Sequence, residues 1–358
     1  MSLTVVYILV AILLFGLLVL VHEFGHFLTA KLSGVQVNEF SLFMGPAIWK
    51  KQKGETLYSL RCIPIGGYCA MEGEDEDSDN PRAFGRAKWW KRFLILAAGA
   101  FMNFLAGLVL YAIVFGPSQQ FVVPEVTQIE SNSALAENNG LQAGDYILAI
   151  DGERLYVQSD FNMILTVKGG ETHSFTVRRN GEKITLPEVS TELRAFDDGN
   201  GGTSMRYGLT FGMKQATFGD RVAYVWNTAM DSVRTVRLSL QMLLSGQAGF
   251  KDLSGPVGIV DQINTVAQES DTKQEAMLNI LYFMGFIAIN LAVMNMLPLP
   301  ALDGGRIVCL LLTTAVEAIT KKKINPKYEA YLHGAGMILL LGLMAVIMFK
   351  DIFTIIKR

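Results

Sequence analysis

The chain has 358 residues, of which 51% are apolar and 18% charged, and its 31 basic and 33 acidic side chains give a net charge of −2. Soluble domains carry about 25% charged residues, so this composition excludes a disordered chain and argues against an ordinary cytosolic globule. The balanced charge provides no basic surface for nucleic acid. We therefore expect a few membrane spans joined to water-soluble parts, and no nucleic-acid partner.

The first predicted element is a membrane helix in residues 1–32. Residues 3–21 carry no charge and approach the roughly 20 apolar residues that cross a bilayer. No basic segment precedes them and no small-x-small cleavage site follows. We therefore expect a retained helix rather than a signal peptide.

This helix runs into His22-Glu23-Phe24-Gly25-His26, an H-E-x-x-H motif. On a helix, positions i and i+4 share a face, so both imidazoles can reach one zinc ion while Glu23 addresses a water molecule there. Each charge placed within a membrane costs about 2.5–3.5 kcal/mol on insertion scales, so ionisable side chains at this position indicate function. The alternative, polar residues that snorkel to the headgroups, explains one histidine but hardly all three side chains.

A β region and a second helix follow. Residues 33–88 alternate strand-like and turn-like pieces, which predicts β-hairpins at the membrane face. The acidic stretch 72–79 lacks the ligand spacing of an EF-hand and is predicted to be a solvated loop. Residues 93–115 are again free of charge, so we assign a second membrane helix to residues 89–116.

Residues 117–195 form a predicted water-soluble β domain. Short strands alternate with turn signals, among them Asn180-Gly181 at the centre of a hairpin. Residues 140–147 (GLQAGDYI), followed by Ile150-Asp151-Gly152, resemble a PDZ domain. PDZ domains bind extended peptides by adding a strand to a sheet edge. The alternative is a small β-rich spacer.

Residues 196–275 are predicted to be a connector with one amphipathic helix. Apolar residues recur there at gaps of three and four, and charged residues such as Asp231 and Arg234 lie off that stripe. The stripe consists of Phe218, Val222, Val225, Ala229, Val233, Val236, Leu240 and Leu243. Such a helix lies on the membrane surface or packs onto the protein, and its periodicity does not separate the two.

Two more membrane helices are predicted near the C-terminus. Residues 276–302 form a charge-free run that ends at Asp303, and we assign residues 276–306 to a third membrane segment. The apolar run inside the connection 307–329 is too short to span and is expected to be a buried or interfacial helix. Residues 330–358 contain the fourth helix.

Basic residues set the expected orientation. Lysine and arginine cluster in the first-to-second and third-to-fourth connections, and nothing basic precedes the first helix. By the positive-inside rule both connections are cytoplasmic, so both termini and the PDZ-like segment are expected outside. The first and third helices then end at the same cytoplasmic leaflet.

Asp303 is the candidate third zinc ligand. Two histidines and a water leave tetrahedral zinc one ligand short, and the remaining histidines lie in the PDZ-like segment and on the fourth helix. Pro298 and Pro300 must break the third helix, so the chain can bring Asp303 to the depth of His22 and His26.

Taken together, the chain resembles the site-2 protease family of intramembrane zinc metalloproteases, and within it the branch of the bacterial regulator of sigma-E protease. The matching motifs are HEFGH at 22–26, MGP at 44–46, IPIGGY at 63–68, AG at 98–99, NF at 103–104, GPVGI at 255–259 and NMLPLPALDGG at 295–305. The resemblance covers nearly the whole chain. It departs from the family pattern at Ala100 and Arg306, and the chain has room for one PDZ domain where many relatives have two.

The resemblance implies a zinc enzyme and its site. The implied residues are His22, His26 and Asp303 as ligands of Zn²⁺, Glu23 as the catalytic acid or base, and Asn290 and Asn295 as substrate-binding residues near the active site. It further implies that the β-hairpins guide the substrate as an edge strand and that the PDZ domain excludes bulky ectodomains.

The predicted fold is a polytopic α-helical membrane protein with about four transmembrane helices, a cytoplasmic β-hairpin region and one extracytoplasmic PDZ domain. Its expected function is hydrolysis of peptide bonds within transmembrane segments in the bacterial inner membrane, with the active site near the cytoplasmic side. Expected substrates are pre-cleaved single-span proteins, such as anti-sigma factors or signal-peptide remnants. A membrane-anchored PDZ adaptor with a structural or degenerate zinc site is the alternative, and a transporter would require inverted repeats, of which we find none.

Overall fold

The computed structural model divides the chain into two units, Met1–Tyr111 with Gly249–Arg358, and Ala112–Ala248. It describes residues 3–74, 76–197, 202–249, 253, 255–268, 270–322, 325 and 327–356. The elements in chain order are α1 (Leu3–Ser33), β1 (Val37–Lys53), β2 (Thr56–Met71), α2 (Trp89–Phe115), β3 (Gln120–Ile129), β4 (Tyr146–Ile150), β5 (Glu153–Arg154), α3 (Asp160–Lys168), β6 (Thr172–Arg179), β7 (Glu182–Ser190), β8 (Arg194–Asp197), β9 (Thr203–Arg206), β10 (Leu209–Gln215), α4 (Phe218–Ser245), α5 (Pro256–Gln268), α6 (Lys273–Asn295), α7 (Asp303–Thr320) and α8 (Lys327–Ile356).

Four helices, α1, α2, α6 and α8, are long and apolar enough to cross a membrane, which confirms the predicted number of spans. Large apolar side chains stay exposed on them, for example Leu13 on α1 at 71% and Ile338 on α8 at 75%. Exposing so much apolar surface to water is unfavourable, so lipid is the environment that these helices fit.

Glycines let the membrane helices approach one another closely. A Cβ atom at Gly25 of α1 would lie 2.5 Å from the Ala98 carbonyl oxygen of α2, and one at Gly107 of α2 would lie 2.5 Å from Ile289 Cγ1 of α6. Small residues at such crossings allow backbones to pack where a side chain would hold them apart. The packing therefore draws α1, α2 and α6 together.

A tight turn separates α6 from α7, at the predicted break. Helix α6 ends at Asn295, and Pro298 and Pro300 lie in the connection, where neither can continue a helix. Helix α7 then begins at Asp303. A Cβ atom at Gly304 would overlap the backbone of Met296, so only glycine fits directly after Asp303.

Strands β1 and β2 form one long hairpin that folds back on itself. Residues 39–42 pair with residues 57–60 along one side and with residues 67–70 along the other. Residues 67–71, which we call the edge strand, are thereby paired on one side only. No strand pairs with their other side within the part of the chain that the structure describes.

The second unit contains an antiparallel sheet in the order β10-β3-β4-β6-β7, with the short β5 beside β4. Its core is apolar and includes Leu135, Phe161 and Phe175. The strand β10 pairs with β3, so this sheet continues past residue 195, where the sequence placed the end of the domain. Strand β10 is far in sequence from the turn signals that mark the hairpins.

Helix α4 is present as predicted, but the prediction of its exposed face is wrong in part. Arg234, expected off the apolar stripe, is only 5% exposed, whereas Phe218 is 79% exposed. The Arg234 guanidinium contacts Asp160 and Asp231 and donates to the Arg154 carbonyl oxygen. A buried ion-pair cluster, which periodicity does not reveal, therefore fixes the helix on the sheet.

Candidate metal centre and active site

The structure brings together three of the predicted site residues. His22 and His26 lie one turn apart on α1, with ring centroids 4.8 Å apart in an edge-to-face arrangement. Asp303 lies in the first turn of α7, and its Oδ2 atom is 3.3 Å from His22 Nε2 and 3.4 Å from His26 Nε2. The two Nε2 atoms are 3.2 Å apart.

These three atoms form a nearly equilateral triangle. For a tetrahedral ion with bonds of about 2.0–2.1 Å, two ligand atoms are separated by about 3.3–3.4 Å, which is close to the observed sides. Apart from the imidazoles, no group in the described chain donates a hydrogen bond to the buried Asp303 Oδ2. Two imidazoles and a carboxylate are also the donor set that zinc accepts in catalytic sites. The residues therefore fit Zn²⁺.

Helix α2 orients both rings. The Ile95 carbonyl oxygen lies 2.8 Å from His26 Nδ1, which can donate to it and so keep the Nε2 lone pair towards the triangle. Asn103 Nδ2 lies 3.4 Å from His22 Nδ1, and Asn103 is buried. Sequence reasoning found Asn103 only as part of a motif, and nothing local in the sequence points to the Ile95 carbonyl.

Gly99 forms the wall of α2 that faces the histidines. A Cβ atom there would overlap His26 Nε2 and would lie 2.6 Å from His22 Cε1. Any side chain would displace the rings, so the position requires glycine. Sequence reasoning did not assign it a role, because only the packing of α1 on α2 shows what the glycine faces.

Glu23 lies beside this cluster and next to the edge strand. Its carboxylate interacts electrostatically with both histidines and with Asp303, and the Cys69 backbone donates a hydrogen bond to it. A Cβ atom at Gly67 would lie 3.3 Å from Glu23 Cγ. The edge strand therefore runs directly past the carboxylate.

The two predicted substrate-binding asparagines lie on the last turns of α6 and do not join the triangle. Both Asn290 and Asn295 are half-buried. Neither side chain makes a hydrogen bond to another described residue. Their amides are therefore available to an external group.

The acidic stretch after β2 is not wholly solvated, so that prediction is wrong for Glu74. Glu74 is ion-paired with Arg306, one turn after Asp303 on α7, and both side chains are largely buried. A cavity of about 780 Å³ adjoins this pair and is lined in part by Leu96, Arg92 and Glu317. This cavity, which is lined in part by charged side chains, reaches α2 and α7.

Comparison with known proteins gives similarities over nearly the whole chain. The model of Peptidase family M50 matches residues 10–343. A Clostridium acetobutylicum protein, named as a candidate zinc metalloprotease, is 35% identical over 96% of this chain and 97% of its own length. The regulator of sigma-W protease RasP of Bacillus subtilis is 29% identical over 95% of this chain and 97% of its own. The zinc metalloprotease RasP of Oceanobacillus iheyensis is 29% identical with the same coverage.

Proposed function

Because the chain belongs to Peptidase family M50, the site-2 proteases, and is an intramembrane zinc metalloprotease, we propose that the cluster on α1 and α7 is its catalytic centre. His22, His26 and Asp303 hold the Zn²⁺ ion. Glu23 is the catalytic acid–base group. The observation that carries this proposal is the triangle of ligand atoms with sides of 3.2, 3.3 and 3.4 Å, which matches one face of a zinc tetrahedron.

When bound, zinc supplies a Lewis acid that polarises the scissile carbonyl and makes a water molecule acidic near pH 7. The Glu23 carboxylate interacts electrostatically with His22, His26 and Asp303, so it lies within reach of a water molecule at the centre. It takes a proton from the attacking water and transfers it to the nitrogen of the leaving amine. The Ile95 carbonyl accepts from His26 Nδ1 and so leaves Nε2 of that ring free to bind. Asn103 does the same for His22 when its amide is turned so that Oδ1 faces His22 Nδ1.

The edge strand is the proposed substrate-binding element. A transmembrane helix must unwind before its scissile bond is accessible, and freed backbone groups need partners in a low-dielectric environment. The unpaired side of residues 67–71 offers backbone donors and acceptors beside Glu23, so an unwound substrate can add to it as a strand. Asn290 and Asn295, with their free amides, are proposed to hold the substrate backbone.

We place the enzyme in the bacterial inner membrane with the active site near the cytoplasmic side. The basic connections support this orientation, in which both termini and the β-rich second unit lie outside. That unit is proposed to be a PDZ domain that excludes bulky ectodomains, so the substrates are single-span proteins already shortened by another protease. The name of the Bacillus subtilis relative, a regulator of sigma-W protease, supports a role in regulated proteolysis.

The test uses the purified full-length enzyme, its zinc content and its cleavage of a single-span model substrate. Glu23→Gln should keep zinc but lose about 10²–10⁴-fold in cleavage rate, which is the usual contribution of general acid–base catalysis. Asp303→Ala should lose zinc. The control is Asp79→Asn, which changes a fully exposed carboxylate and should alter neither measurement.

Two results would contradict the proposal. Cleavage at the wild-type rate by Glu23→Gln would refute the proton-transfer role. Full zinc occupancy in Asp303→Ala would refute the third ligand. A protein that holds zinc and binds peptides without cutting them would instead match the adaptor alternative, which membership in a peptidase family already disfavours.

A further inference from the structure

The turn that delivers Asp303 to the metal centre has a strained backbone. Ala301, two residues before Asp303, has φ of +75°, in the left-handed region that non-glycine residues rarely adopt. Such a conformation is unfavourable for a residue with a Cβ atom and persists only where the surrounding structure holds it. The neighbours of this turn therefore matter for the position of Asp303.

Helix α8 holds the turn at two points. The Ala301 backbone N–H donates a hydrogen bond of 2.9 Å to His333 Nδ1, and His333 is buried with 6% of its surface exposed. Gly336 lies three residues further on the same helix face. A Cβ atom there would overlap Pro300 Cβ and would lie 2.9 Å from the Pro300 carbonyl oxygen. One face of α8 thus contacts two successive residues of the turn.

We propose that His333 is a positioning residue for the zinc ligand Asp303. By accepting the Ala301 hydrogen bond it keeps the turn in its left-handed conformation, and the turn directs the Asp303 carboxylate at the two imidazoles. The inference rests on the proposed function, because it needs Asp303 to bind the ion. His333 makes no contact with substrate or metal, and acts only through the backbone of residues 300–303.

The chemistry of the contact sets a specific requirement. To accept a hydrogen bond at Nδ1, the imidazole must be neutral with its hydrogen on Nε2. Asparagine can place its Oδ1 atom where Nδ1 lies, since both are two bonds from Cβ. Glutamine places its polar atoms one bond further out, close to the position of Nε2. His333→Asn therefore preserves the acceptor, whereas His333→Gln keeps the polarity and bulk but removes the acceptor from reach of Ala301.

Two glycines on the same helix provide a second matched pair. Gly336→Ala places a methyl group against Pro300, while a Cβ atom at Gly334 meets nothing within 4 Å. Both substitutions raise helix propensity by a similar amount, so the difference in zinc release between the two variants measures the effect of the contact with the turn.

The experiment compares these four variants in the full-length enzyme. It measures the rate of zinc release to a chelator, the visible absorption of the Co²⁺-substituted protein, and kcat and KM for a single-span substrate. His333→Gln and Gly336→Ala should release zinc about 10–100-fold faster, the usual effect of losing an outer-shell partner of a metal ligand. Their cobalt spectra should change, and kcat should fall with KM unchanged. His333→Asn and Gly334→Ala should behave as the wild type.

The inference is overturned if His333→Gln releases zinc at the wild-type rate with an unchanged cobalt spectrum. It is equally overturned if His333→Asn is as impaired as His333→Gln, because the ring's volume rather than its acceptor would then be responsible. Asp303→Ala distinguishes failure of the proposed function from failure of the positioning role. If it retains zinc, the proposed function fails; if it loses zinc while His333→Gln does not, only the positioning role fails.

Discussion

Asn103 of α2 lies 3.4 Å from His22, measured between Asn103 Nδ2 and His22 Nδ1, the ring nitrogen that does not face Asp303. When His22 binds a metal ion through Nε2, Nδ1 carries a hydrogen and needs an acceptor. The buried Oδ1 of Asn103 has no hydrogen-bond partner among the residues that the structure describes. When the Asn103 amide is turned by 180°, its Oδ1 atom accepts a hydrogen bond from His22 Nδ1, so both of these atoms have a partner.

Substitution of Asn103 should therefore weaken zinc binding selectively. Asn103→Leu removes the acceptor at similar volume and should lower zinc affinity by about 10–100-fold, measured by competition with a chelator. Asn103→Asp keeps an acceptor oxygen and should retain zinc. Wild-type affinity in the leucine variant would show that the amide does not orient His22.

Gly99 and Gly107 are both crowded glycines of α2, but only Gly99 faces the candidate ligands. Gly99→Ala should displace the two imidazoles and abolish zinc binding. Gly107→Ala pushes on Ile289 of α6 and should lower thermal stability while zinc stays bound. Metal analysis and a thermal melt of both variants check this, and equal zinc loss in both would mean that general unpacking is the cause.

A pH dependence is expected in the second unit, where Asp160 and Asp231 share the buried guanidinium of Arg234. Burial, together with the hydrogen bond and charge of Asp160, raises the pKa of Asp231 to about 7. In an unfolded chain this pKa is about 3.9. The folded state therefore binds the proton more tightly, and the stabilisation from protonated Asp231 is complete below about pH 4 and is lost as the pH rises to about 7.

Hydrogen exchange of the α4 amides in the full-length protein measures this effect. After correction for the intrinsic rate, the opening constant should rise by up to about tenfold per pH unit between pH 5 and pH 7. Asp231→Asn cannot ionise and should show a flatter profile. The same pH profile in this variant would assign the dependence to another group.

The Glu74–Arg306 ion pair should hold the acidic stretch on α7. Arg306→Gln removes a charge-assisted hydrogen bond worth about 1.5–3 kcal/mol, so a glutamate-specific protease should cut residues 72–76 at least about tenfold faster. The control is Arg86→Gln, whose exposed pair with Asp79 should contribute little. Equal cleavage rates for the two variants would contradict a role for the buried pair.

Much of the architecture was predictable because its signals are local. The charge-free runs predicted four spans that the structure confirms, and two prolines predicted the break between α6 and α7. Arg234 was not predictable in the same way. Its charge predicted a solvent-exposed side chain, whereas the structure buries it beside the carboxylates of Asp160 and Asp231, which belong to different helices.

The sequence by itself determined which side chains share a helix face, since His22 and His26 are separated by one turn of α1. It also indicated that Asp303 is the residue able to complete their donor set. Only the tertiary structure decided how these groups are held, through Gly99 and Asn103 of α2 and His333 of α8. Helical periodicity fixes the direction of a side chain about its own axis, but the residue that meets it depends on how separate helices cross.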